Sequence, residues 1–212
     1  AIALAADTGD ETKVRELLDL AVSKLGGLDA FFANAGITGK LRTIEETTVE
    51  VFQEVLRVNL LGPFLAIKYG SVEIAKQGKG SIVCTASVAG IGAGAGPISY
   101  SASKAGVINL VKTAAQDLRG SNVRVNAICP GLIETGMTAP LYDGMRGAGM
   151  ESEIGRLNPL RRGGSPEEIA QAALFLASPA SSYVNGHALV VDGGHSASHP
   201  VSRQDYGMTA IV

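Results

Sequence analysis

Short apolar runs alternate along this chain with amphipathic stretches of helical length, and that alternation leaves few architectures open. Leu28–Ala33, Ser81–Cys84, Val123–Ile128 and Ala188–Val191 read as strands, and Ala1–Ala6 opens the chain as a further one. A helix with acids in its first turn follows Asp10, and others are expected from about Thr48 to about Lys76, near Ser99–Leu118 and at Pro166–Ala177. Apolar strands joined by amphipathic helices specify an α/β fold, a doubly wound parallel sheet covered on both faces as a three-layer α/β/α stack. In such sheets a ligand lies beyond the carboxyl ends of the strands.

With 212 residues, 46% of them hydrophobic and 18% charged, the chain fills one core rather than two. A single domain over 1–194 and a tail over 195–212 are expected. Net charge is −2 and no basic cluster exceeds Arg161-Arg162, so no nucleic-acid footprint is present. No apolar run reaches the length of a membrane span, so no membrane partner is expected. Cys84 and Cys129 sit in apolar strand runs, which suits buried, reduced thiols and a cytoplasmic or organelle-matrix setting. His195 and His199 have helical spacing, but Pro200 and the Ser-rich context argue against a helix there, and no metal site is expected.

The chemistry concentrates between Gly80 and Lys104. Tyr100 and Lys104 stand four apart, so one helix face carries a phenol beside an ammonium, and the positive charge is expected to lower the phenol's pKa towards that of a working general base. Ser87, at the mouth of the preceding strand, can hydrogen-bond the same substrate oxygen. Such a pair alone also suits a solvated helix face. A Ser thirteen residues before the Tyr, the small Ser101, Ala102 and Ser103 between Tyr and Lys, and the strand–bend–helix frame make it a proton-transfer site. Further back, Pro63 lacks an N–H, so the carbonyl of Asn59 loses its helical partner and is free for a bound water that connects to Lys104. A kink that merely curves the helix is the alternative.

These residues closely resemble the catalytic segment of the short-chain dehydrogenase/reductase family. The resemblance implies a Rossmann-type sheet, NAD or NADP as cofactor, and interconversion of a secondary alcohol and a ketone. Tyr100 would be the general acid/base and also touch the cofactor, Ser87 would polarise the carbonyl, Lys104 would hold the nicotinamide ribose, and Asn59 would anchor the relay water. Asn34, Ala35 and Gly36 match the family's Asn-Ala-Gly run on the adenosine side, though a turn needing Gly explains them equally. Asp7 occupies the adenine-contacting position, with helix capping as the rival explanation. Pro130 and Gly131 resemble the turn that cups the nicotinamide, with Ile133 and Thr135 fixing its carboxamide. The match extends through Val191-Asp-Gly-Gly to Gly194. It also implies a homotetramer or homodimer, which the small and apolar residues on several faces of the helices at Thr48–Lys76 and Ser99–Leu118 support.

Three departures stand out. The family's glycine-rich phosphate loop, with the residue that separates NAD from NADP, does not precede Ala1. If Ala1–Ala6 is the outer strand of a 3-2-1-4-5 order, it lacks a neighbour, and roughly 40–50 further residues, a βαβ unit with its turns, are expected ahead of it. Gly90 to Ala95 satisfies G-x-G-x-x-A, but no acidic residue ends the following strand and the bend leads straight to Tyr100, so it is assigned to the substrate side. Gly136 to Pro159 is polar and Gly-rich, dotted with Met137, Leu141, Tyr142, Met145 and Met150, and reads as a mobile lid, with a disordered loop as the competing reading. Two rival functions share the residues: an epimerase or dehydratase without net redox, and a non-enzymatic oligomeric subunit.

Overall fold

The computed structural model describes residues 1–40 and 42–198. Helix α1 (Glu11–Leu25) starts where the Asp10 carboxylate accepts the N–H groups of Thr12 and Lys13, and it stops at Gly26, whose φ of 85° suits glycine. Strand β1 (Ala30–Ala33) follows, then a continuous helical rod capped by Thr48: α2 (Val49–Leu56), a π turn over Arg57–Leu61, and α3 (Gly62–Lys76). The π turn sits where the sequence analysis placed a freed carbonyl, one turn ahead of Pro63. Strand β2 (Gly80–Thr85), α4 (Ile98–Asp117), β3 (Val123–Pro130), α5 (Ala139–Gly147), α6 (Pro166–Ala177) and β4 (Ala188–Val191) complete the order. Helix α6 begins with a full capping box, Ser165 with Glu168, and Pro166 at its first position.

The four strands are parallel in the order β1-β2-β3-β4. Side-chain alternation sends Ile82 and Cys84 to one face, with Ile67, Ile74, Val107 and Val111 of α3 and α4. It sends Val83 and Ile128 to the other, against Ala173 and Leu176 of α6. This is the expected three-layer stack. Helix α1 packs on α3 through Val14, Leu18 and Leu65.

Two expectations are corrected. Ala1–Ala6 is not a strand: an apolar run becomes one only by pairing, and this one joins no ladder, while β1 with its half-exposed Phe32 forms the sheet edge. Of the two readings of 136–159, the disordered loop is corrected: the segment carries α5 and a short turn over Glu151–Glu153, and Tyr142 on α5 is buried. His199 lies outside the described residues, as does most of the tail. Among the described residues no cluster of His, Cys, Asp or Glu could hold a metal ion, and no helix is long and apolar enough to cross a membrane.

Candidate active site

The catalytic candidates meet at the carboxyl ends of β2 and β3. Ser87 leaves β2 in an extended conformation and caps the short turn Val88–Gly90, its Oγ accepting the N–H of Ala89 at 3.1 Å. That turn packs directly on α4. A Cβ on Gly90 would stand 2.6 Å from the backbone of Lys104 and Ala105, so only glycine lets the turn approach the helix this closely. The contact brings the Ser87 hydroxyl into hydrogen-bonding reach of the Tyr100 phenol. Lys104, one turn on, is buried, and its Nζ donates to the Thr85 carbonyl at 2.7 Å.

Asn59 is fully buried and spans the loop after β1 and helix α4. Its Oδ1 accepts the N–H of Ile37 at 2.8 Å, and its Nδ2 donates to the Ile37 carbonyl at 2.8 Å and to Ser103 Oγ at 3.1 Å. Ser103 Oγ in turn donates to the Tyr100 carbonyl at 2.7 Å. The side chain thus fixes backbone on two elements, while the Asn59 carbonyl faces the position that Pro63 leaves without a donor.

The electrostatics correct one expectation. Burial raises the Tyr100 pKa, and the hydrogen bond with Ser87, not Lys104, is what opposes it. The Lys104 ammonium sits 5.5 Å from the ring centroid and is turned to the Thr85 carbonyl. Burial also brings Lys104 itself down to about 8, which weakens its claim to a full charge.

Two cavities join at this point. One, of about 520 Å³, is lined by nine of the ten residues expected to hold cofactor: Asn34, Ala35, Gly36, Tyr100, Lys104, Pro130, Gly131, Ile133 and Thr135. The other, of about 460 Å³, lies under α5 and includes Met137, Leu141 and Met145. Ser87 and Tyr100 belong to both walls. Gly94 to Gly96 line the second cavity beside Ser87 and Tyr100. Asp7, expected on the adenine side, is not in the lining of the larger cavity: its carboxylate accepts Arg57 Nη1 at 3.0 Å and Gly9 N–H at 2.9 Å, which holds its pKa below the ordinary range.

The larger cavity fits a nicotinamide nucleotide. An ammonium, a phenol and the Thr135 hydroxyl offer donors and acceptors for ribose and carboxamide, and Gly36 keeps the wall open where a Cβ would come within 3.5 Å of Lys104 Nζ. Sequence reasoning missed Thr85, whose Oγ1 donates to Asn34 Oδ1 at 2.8 Å, and Thr138, whose Oγ1 donates to the Ile133 carbonyl and accepts the Thr135 N–H at 3.0 Å. A threonine at a strand end is the signal that marks Thr85; Thr138 carries none that short spacing reveals.

A family model described as Enoyl-(Acyl carrier protein) reductase matches residues 1–196. The 3-oxoacyl-(acyl-carrier-protein) reductase FabG of Thermotoga maritima is 43% identical over 185 residues, which cover 87% of this chain and 73% of that protein. The cis-4-hydroxycyclohexanecarboxylate dehydrogenase of Sinomonas cyclohexanicum is 39% identical over 191 residues, 90% of this chain and 75% of that one. Among solved structures, ElxO with NADP bound is similar with a TM-score of 0.83 at 31% identity, over 91% of this chain and 77% of its own.

Proposed function

This chain belongs to the short-chain dehydrogenase/reductase family, the NAD(P)-dependent oxidoreductases, and on that premise we propose that it interconverts a secondary alcohol and a ketone with Tyr100 as general acid/base. The observation that carries the reading is the position of Ser87 and Tyr100 on the shared wall of the two cavities, one suited to nicotinamide and the other to an organic substrate. Bound NAD or NADP supplies the hydride chemistry. Lys104, Asn34, Ala35, Gly36, Pro130, Gly131, Ile133 and Thr135 would hold the nicotinamide nucleoside, and Asp7 with its neighbouring backbone would meet the adenine, Arg57 fixing its carboxylate.

Ser87 donates to the substrate oxygen and polarises it. In reduction the Tyr100 hydroxyl gives its proton to that oxygen; in oxidation the phenolate takes the alcohol proton. Lys104 orients ribose, and a water on the Asn59 carbonyl returns the proton from solvent. The free Cys84 and Cys129, both buried, support a reducing, cytoplasmic setting. An apolar groove across Leu56, Leu60, Leu61, Phe64 and Leu110, with Phe64 42% exposed, supports assembly as a homotetramer or homodimer.

Titration with NADH and NADPH by nicotinamide fluorescence, followed by a ketone screen with Tyr100→Phe as control, tests the reading. Wild type is expected to bind one cofactor and reduce a ketone. Tyr100→Phe should still bind the cofactor and lose about 10²–10⁴ in kcat. Equal turnover by the variant would remove Tyr100 from the mechanism.

A further inference from the structure

The cavity under α5 is largely apolar, and its guanidinium is paired. Met137, Leu141, Met145, Ile154 and Leu157 line it, with hydroxyl groups from Thr38, Ser87, Tyr100 and Thr138 and the carboxamide of Asn158. The guanidinium in the lining is Arg156, and Glu153 holds it at 3.3 Å. Arg146, on the helix that presents Leu141 and Met145, is taken by two carboxylates, Glu134 at 2.7 Å and Glu151 at 3.0 Å. Asp192, an anion in the lining, accepts the N–H groups of Gly194 and Ser196 and would itself disfavour an anionic substrate. A substrate carboxylate would therefore enter a largely apolar space whose guanidinium already has a carboxylate partner. A volume of about 460 Å³ lies in the lower half of the range for small-molecule sites.

From this we infer that the substrate is a small, uncharged, largely apolar secondary alcohol or its ketone, bearing no anionic group. The inference rests on the alcohol/ketone reading above and sharpens it. It also separates this chain from the two relatives, whose names specify a carrier-bound acyl group and a carboxylate. Ser87 and Tyr100 engage the oxygen at one end, and the Met and Leu side chains of α5 enclose the hydrocarbon body, methionine adapting to its outline.

The test measures NADH- and NADPH-dependent reduction by the full-length protein of four compounds: cyclohexanone, 2-decalone, 4-oxocyclohexanecarboxylate and a carrier-protein-bound 3-oxobutanoyl thioester. The expected result is a kcat/KM for the better neutral ketone at least about tenfold above those for the carboxylate and the thioester. Met145→Lys, which places an ammonium in the wall, is expected to shift the ratio towards 4-oxocyclohexanecarboxylate by about tenfold. A carboxylate or thioester used as well as the neutral ketones overturns the substrate class and leaves the oxidoreductase reading standing. No turnover of any of the four with either cofactor overturns the oxidoreductase reading, and the substrate class with it.

Discussion

The carboxamide of Asn59 satisfies both backbone groups of Ile37, taking its N–H and giving to its carbonyl at 2.8 Å each. This two-point clamp fixes the loop that contains Asn34, Ala35 and Gly36 against the helix, and Nδ2 reaches on to Ser103 beside Tyr100. Asn59→Leu strands both Ile37 groups in a half-buried setting, at about 1 kcal/mol each. Urea unfolding is expected to show a lower midpoint at unchanged m, and NAD(P)H affinity should fall because Gly36 is no longer held. An unchanged midpoint would show that the clamp contributes nothing.

Lys104 makes stability depend on pH in a direction opposite to that of a surface lysine. Burial lowers it from its ordinary 10.5 to about 8, so between these values the unfolded chain binds more protons than the folded one and stability rises with pH. Below pH 8 the full cost of the buried ammonium applies, about 3 kcal/mol. Lys104→Met removes this slope: its stability advantage over wild type, whatever its offset from the lost bond to Thr85, should shrink between pH 8 and 10.5. Parallel curves for the two proteins across that window would contradict the burial argument.

Local structure was legible in the sequence wherever a single segment carries the whole signal. Pro166–Ala177 is bounded by its own capping box, Ala188–Val191 by its apolar run, and the Ser87, Tyr100, Lys104 constellation by one strand–bend–helix frame. What spacing could not show depends on distant partners. Ala1–Ala6 has the composition of a strand but no ladder, Asp7 meets an arginine fifty residues away, and Lys104 turns to a carbonyl at the end of β2 instead of to the phenol. Helix α5 was hidden because Gly144 and Gly147 dilute a pattern whose Leu141, Tyr142 and Met145 are nonetheless helically spaced.

On the proposed mechanism, Ser87 tunes the pH at which Tyr100 exchanges its proton. Its hydrogen bond is what counters the rise that burial imposes on the phenol. Ser87→Ala should therefore move the pH profile for alcohol oxidation, which needs the phenolate, to higher pH, and lower kcat through loss of the donor to the substrate oxygen. A drop in rate with no movement of the profile would limit Ser87 to polarising the substrate.

Gly90 and Gly92 distinguish a packing glycine from a phosphate-binding one. An added Cβ at Gly90 meets backbone atoms of α4 at 2.6 Å, which cannot move aside cheaply, whereas at Gly92 it meets nothing within 4 Å. If the G-x-G-x-x-A bend cradled a pyrophosphate, methyl groups at either position would obstruct the cofactor. On the packing account Gly90→Ala pushes the Ser87 turn off α4, costing about 1–3 kcal/mol of stability, and it lowers kcat by separating Ser87 from Tyr100. Gly92→Ala leaves stability and NAD(P)H affinity within error of wild type. Thermal unfolding and cofactor titration of both variants decide the matter, and a Gly92→Ala protein that folds normally but loses NAD(P)H affinity would return the bend to the cofactor.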